Sequence, residues 1–306
     1  MSDALRTPEE SFRGVADYDW APNYTENLPG YEGLRMHLVD EGPARSPQVY
    51  LCLHGEPTWG FLYRKMARVF LEAEGRIVIP DFFGFGRSDK PVDDGVYDFA
   101  FHRDSLIALI EQRDLKGITL VCQDWGGLVG LTLPMQMPER FDRILLMNTA
   151  IGTGDHALPE SFVAWRQFVH DQPDFDIPAL MQRACPTLTN SEAAAYGAPF
   201  PDARYRAGVR RFPDMVPDSP DADGAALSRQ ARDWLGTEWS GETFAAVGAQ
   251  DPVLGVPVME HTVSQIRGCA PAMVVEDAGH FAQEAGDEIA RAALTAWGDL
   301  EGAPED

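Results

Sequence analysis

The sequence predicts an α/β protein: a mostly parallel sheet with helices on both faces, interrupted by a helical insertion. Two patterns carry that expectation. From about residue 34 onward, short β-type apolar runs alternate with helical patterns, as parallel strands joined by crossover helices require. The alternation then stops between about residues 152 and 224, where nine of the 23 prolines fall among aromatic residues. No convincing strand pattern occurs in that stretch.

Taken in order, residues 34–39 and 49–53 read as successive strands and 76–80 as a third. A helix at 101–112 follows, then a strand at 118–122, a helix at 125–137 and a strand at 143–147. Beyond the insertion, strands at 243–247 and 272–276 restore the pattern, with a helix between them and another after them. The expected organisation is therefore a first core part at 1–151, a helical cap at 152–224 and a second core part at 225–306. An insertion between strands of a parallel sheet sits over their C-terminal ends, where α/β ligand sites lie. It is expected to act as a lid.

Charge narrows the function. Against 25 Lys plus Arg stand 48 Asp plus Glu, a formal net charge of −23 over 306 residues. Nucleic-acid binding needs a basic footprint, and no Lys/Arg cluster longer than a pair occurs. A polybasic membrane patch is missing for the same reason. No run of about 18 apolar residues could span a membrane. The first ten residues are charged and lack the apolar stretch of a signal peptide, so a cytoplasmic location is expected. Cys52, Cys122, Cys185 and Cys269 are far apart and form no CxxC, which points to reduced thiols. There is no HExxH and no clustered Cys/His set, so no metal is expected. Gly84 and Gly86 lack the third glycine of a dinucleotide fingerprint, because position 89 is Asp. No cofactor is expected, and a monomer is.

The most informative stretch is residues 120–127, LVCQDWGG. A strand runs into a tight turn and a Gly-rich helix start, as in the nucleophile elbow of α/β-hydrolases. Gly126 supplies the small residue such a turn needs two positions after the nucleophile. Asp124 stands at the tip, where many hydrolases have Ser. No G-x-S-x-G exists; Ser88 comes closest, but Lys90 replaces the second glycine. The plainer alternative makes Asp124 only a helix N-cap. As a nucleophile, an Asp is already ionised at neutral pH and can attack an electrophilic carbon without a base. The resulting ester then needs a base to activate water.

His280, in a loop directly after the last expected strand, suits that base. The acid that orients it should lie at a strand end between nucleophile and histidine, and Asp251 fits. Asp277 is the rival, three residues from His280. Residues 54–59, HGEPTW, place a turn immediately after a strand. The backbone N–H groups of Glu56 and Trp125 could point at the ester oxygen as an oxyanion hole. Pro57 restricts Glu56 to an extended conformation and so helps fix that amide. His54 and the Glu56 side chain are expected to be structural, holding the turn.

Together with residues 22–24 (PNY), 28–31 (LPGY), 81–91 (DFFGFGRSDKP) and 277–281 (DAGHF), these stretches resemble the haloalkane dehalogenases of the α/β-hydrolase superfamily. The similarity is strongest to the subfamily that includes the 1,2-dichloroethane enzyme. It implies nucleophile Asp124, base His280 and acid Asp251. It also implies a halide held between the indole N–H groups of Trp125 and Trp165, the one tryptophan of the insertion. A sister subfamily uses an Asn after the His-Gly pair and an acid after the next strand; Glu56 and Asn148 occupy those places here. Leu128 stands where the 1,2-dichloroethane enzyme has a large aromatic residue, and with Phe162 and Leu254 it is assigned to the pocket wall. The implied reaction turns a short haloalkane and water into alcohol, halide and a proton. An epoxide hydrolase is the main alternative, with Tyr196 and Tyr205 available to polarise an epoxide. A non-catalytic receptor on the same fold is the other.

Overall fold

All five residues of Val49–Leu53 are buried, and so are all six of Ile118–Gln123. Apolar runs of this kind fit strands covered on both faces. They form the centre of an eight-stranded sheet in the computed structural model, which describes residues 3–300. Its strands are β1 (Asn23–Glu26), β2 (Arg35–Glu41), β3 (Val49–Leu53), β4 (Arg76–Pro80), β5 (Ile118–Gln123), β6 (Phe141–Met147), β7 (Glu242–Gly248) and β8 (Met273–Val275). The spatial order is β8-β7-β6-β5-β3-β4-β2-β1. From β4 to β8 every pairing is parallel, while β2 is antiparallel to both its neighbours.

Register places the site. Leu53 pairs with Cys122 and Gln123 with Met147, so β3, β5 and β6 end side by side. Residues 54–56, 124 and 148 therefore emerge together at one edge of the sheet. Residues 251 and 280 follow β7 and β8 at the same edge.

One expectation needs correction, and one strand went unread. After Arg64–Glu72 (α1) and Phe99–Gln112 (α2), the helix foreseen at 125–137 is two pieces, Trp125–Gly130 (α3) and Leu133–Gln136 (α4). Pro134 lies in the first turn of α4, where its missing N–H costs nothing, whereas it would have broken a continuous helix. The edge strand β1 offers no signal because its NYTE sequence has one buried residue, Thr25, and no apolar run.

Between β6 and β7 come Glu160–Asp171 (α5), Ile177–Ala184 (α6), Asn190–Gly197 (α7), Ala207–Met215 (α8) and Ala225–Thr237 (α9). No strand lies between residues 152 and 224. The helix starts are set locally: Asp176 caps α6, and Thr189 with Glu192 forms a capping box on α7. Helix α7 is tied to the core. Arg64, 1% exposed, donates to both oxygens of Glu284 at 2.7 and 2.8 Å and to Glu192 at 2.8 Å. Trp59 Nε1 donates to the Ala195 carbonyl at 3.0 Å.

Among the described residues no helix is long and apolar enough to cross a membrane. The four cysteines are free, and Cys52, Cys122 and Cys185 are buried.

Candidate active site

Asp124 follows β5 with φ 50° and ψ −125°, a strained conformation for a residue with a side chain. The local contacts explain how it is held. Its amide donates to the Asn148 carbonyl at 3.0 Å, and its carbonyl accepts from Gly127 and Leu128 N–H and from Thr149 Oγ1. A Cβ at Gly126 would lie 1.9 Å from the Leu53 carbonyl oxygen, so only glycine lets α3 start this close to β3. The Asp124 side chain makes no capping bond to α3. It turns instead toward the loop after β3.

There Oδ1 accepts the Glu56 N–H at 2.9 Å, and the neighbouring Trp125 amide also favours the ionised carboxylate. A Cβ at Gly55 would come within 2.2 Å of the same oxygen. Burial raises the Asp124 pKa, against the pull of His280 and the two amides, and Asp251 adds to the rise. His54 locks the turn: its Nδ1 lies 2.9 Å from the Gly55 carbonyl, and its Nε2 accepts the Phe82 N–H at 3.1 Å. The Glu56–Pro57 peptide is cis.

On the other side, His280 Nε2 stands 3.6 Å from Asp124 Oδ2, and Nδ1 lies 2.8 Å from Asp251 Oδ2. Asp251 is 6% exposed and also accepts the Val253 N–H at 2.8 Å. Burial alone would raise its pKa, but His280 and the Val253 and Leu254 amides hold it at about 2. Burial pulls the His280 imidazolium down, and Asp251, Asp124 and Glu56 outweigh it, leaving its pKa at about 9. Asp277 is exposed and forms no ion pair with His280 among the described residues.

Two polar residues to which the sequence assigned no supporting role hold this pair. Asn148 Nδ2 donates to Asp251 Oδ2 at 3.0 Å and its Oδ1 accepts the Gly248 N–H at 2.9 Å. Gln123 Nε2 lies 3.0 Å from His280 Nε2 and 3.1 Å from the His280 carbonyl. The available signal was position: both residues sit at the ends of strands flanking the elbow.

Glu56, Asp124, Trp125, Leu128, Phe162, Trp165, Asp251, Leu254 and His280 all border one cavity of about 1150 Å³. Trp125 packs on Phe212 with ring centroids 4.7 Å apart. Trp165, on α5, directs its Nε1–H at Glu56 Oε2, 3.3 Å away, so the Glu56 side chain meets the indole rather than holding its own turn. The two tyrosines considered for epoxide chemistry do not line this cavity. Tyr196 is fully buried and gives its hydroxyl to Glu284.

A family model described as the α/β hydrolase fold matches residues 49–287, and the class of the protein is that of this hydrolase fold. A haloalkane dehalogenase of Psychrobacter cryohalolentis is 39% identical over 294 residues, covering 94% of this chain and 95% of its own. One from Mycolicibacterium paratuberculosis is 37% identical, covering 95% and 97%. The solved structure of a tetrameric haloalkane dehalogenase from Paraglaciecola agarilytica superposes with a TM-score of 0.94 at 48% identity, covering 96% of this chain and 98% of that one. The chain belongs to the haloalkane dehalogenase family of enzymes.

Proposed function

We propose that the chain hydrolyses short haloalkanes to alcohol, halide and a proton through an alkyl ester on Asp124. The observation that carries the proposal is the two-sided hold on the Asp124 carboxylate. The Glu56 amide takes Oδ1, Oδ2 faces His280, and the residue borders the cavity. Attack on the halogen-bearing carbon needs no proton transfer: a carboxylate–carbon bond forms and the carbon–halogen electron pair leaves with the halide. Trp125 and Trp165 hold that ion, the latter once its N–H turns from Glu56. Leu128, Phe162 and Leu254 shape the pocket, and the 152–224 segment serves as its cap.

Ester formation also changes His280. The resting imidazole is held at about 9 partly by the Asp124 charge. Alkylation removes that charge, so after halide departure the ring gives up its proton more readily and becomes a competent base. It then takes a proton from water, whose oxygen attacks the ester carbon. The developing oxyanion at Oδ1 meets the Glu56 and Trp125 amides already in place. Asp251 keeps the imidazole oriented. No step requires a metal or cofactor.

The test is a halide-release assay with alkyl bromides and chlorides beside a diol assay with styrene oxide. Halide without diol is expected. His280→Gln should release about one halide per enzyme and stall, with an alkyl adduct on Asp124 by mass spectrometry. Diol formation without halide, or a stalled enzyme lacking the adduct, would overturn the proposal. Sedimentation separates the monomer expected from sequence from a tetramer like that of the P. agarilytica relative.

A further inference from the structure

A second cavity, of about 400 Å³, lies where α5 and α8 meet the turn at Asp94–Val96. It gathers three of the chain's 25 Lys and Arg residues: Arg166 from α5, and Arg210 and Arg211 from α8. His170 of α5 stands beside them, and two acids, Asp94 and Asp214, also border the space. In a chain of net charge −23 this gathering of guanidinium groups sets the cavity apart.

Two of the three arginines are taken up by the protein. Arg210 donates to both oxygens of Asp94, at 2.9 and 3.3 Å, and to the Ala203 carbonyl at 2.9 Å. Arg166 holds Asp218 at 3.1 Å and the carbonyls of Pro213 and Val216 at 2.9 and 3.0 Å. Arg211 differs. Its Nε donates to the Tyr97 carbonyl at 3.2 Å, but both Nη groups lack an acceptor among the described residues and remain open to solvent. The carbonyl fixes the side chain without neutralising it, so its remaining N–H donors share one plane and one orientation. Asp214, one turn further along α8, is exposed and forms no ion pair with any of these guanidinium groups among the described residues.

We propose that this cavity binds a phosphate-type oxyanion, free or as a phosphomonoester, on the Nη edge of Arg211, with Arg166 and His170 completing the contact from α5. Guanidinium forks match such oxygens two at a time, and a fork already held by a carbonyl loses little freedom on binding. A phosphate group has enough oxygens to bridge Arg211 to Arg166, which a single-atom halide does not. The bound oxyanion ties α8 to α5 and stabilises the folded chain by mass action. Asp94 and Asp214 weaken the site without closing it, because Arg210 neutralises the first and solvent screens the second.

Isothermal calorimetry with inorganic phosphate, at an ionic strength held constant with sodium chloride, tests this. Binding of one phosphate per chain in the millimolar range is expected, with a melting temperature that rises with phosphate and not with chloride. Arg211→Gln should weaken binding at least about tenfold. Arg211→Lys, which keeps the charge but not the fork, should weaken it about threefold. Asp214→Asn, at an exposed position, should tighten it about threefold. Phenyl phosphate identifies the source: tighter binding assigns the site to an ester, equal or weaker binding to the free ion. Absence of saturable binding, or unchanged affinity in Arg211→Gln, would overturn the inference. If Arg211→Gln does not fold, the Asp214→Asn titration decides, and an unchanged affinity there has the same force. Halide release plays no part in these measurements, so their outcome is independent of the dehalogenation reading.

Discussion

The strand-end half of the site and its inserted half hold their side chains by different means. Asp124, Asp251 and the Glu56 amide sit one to three residues beyond parallel strands, and backbone hydrogen bonds fix each of them. Trp165 rides on α5, a helix with a single buried residue, Val169. Its ring packs on Phe168 and Phe175, which belong to the same inserted segment, and one 3.3 Å bond joins it to the core through Glu56. The contrast teaches where chemistry and selectivity can vary separately. A displaced strand end disturbs the sheet, whereas a displaced α5 carries its aromatic neighbours along.

The largest effect expected from that contrast is at Asp124. Asp124→Ala should abolish halide release with an unchanged circular dichroism spectrum, because no neighbouring group can form the ester. Measurable turnover by the folded variant would end the idea that the strand-end half carries the chemistry. On the inserted half, Trp165→Phe keeps the aromatic packing but loses the N–H. It should slow chloride release by roughly 10²–10³-fold, with bromides affected less because bromide leaves more easily. Equal rates for variant and wild type on chlorides would mean that α5 contributes only a wall.

A smaller effect separates support from chemistry within the strand-end half. Asn148→Ala removes a hydrogen bond to the Asp251 carboxylate, a kind of bond worth about 1.5–3 kcal/mol. About a tenfold fall in kcat is expected, visible in ester hydrolysis and not in the first halide burst. A variant slowed in the burst instead would place Asn148 in the displacement step.

The smallest effect is on pH dependence. His280 titrates near 6.5 when unperturbed and at about 9 in the fold, so the folded state holds its proton more tightly. The stability this contributes is complete below about 6.5 and is lost as pH rises through about 9. Asp124→Asn removes one of the charges responsible and should lower the imidazole pKa by about 1–3, read by NMR titration. Denaturant midpoints should then decline at a lower pH than in wild type. An unmoved titration would show that Asp251 and Glu56 set the value without Asp124.

Much of this arrangement was legible because it follows from strand ends. The apolar runs of β3, β5 and β6 announce themselves, and parallel strands bring whatever follows them to one edge, so residues 124, 251 and 280 could be grouped before any coordinates. Polar β1 has no such signature, since its pairing with β2 depends on backbone groups rather than on an apolar face. The supporting bonds of Asn148 and Gln123 were equally silent. Their partners lie 103 and 157 residues away, and no spacing rule encodes a hydrogen bond across a sheet. The Glu56–Trp165 bond joins the core to an insertion whose placement local sequence does not dictate.

The buried Arg64 junction has a mechanical consequence. It fastens α7 to α1 (Arg64–Glu72) and to the segment just after His280, and the Trp59–Ala195 bond adds a second rivet on the same helix. Helix α8 is fastened as well, its Arg210 paired with Asp94 and its Arg211 bonded to the Tyr97 carbonyl, so the inserted helices hand their load to the core at two separated points.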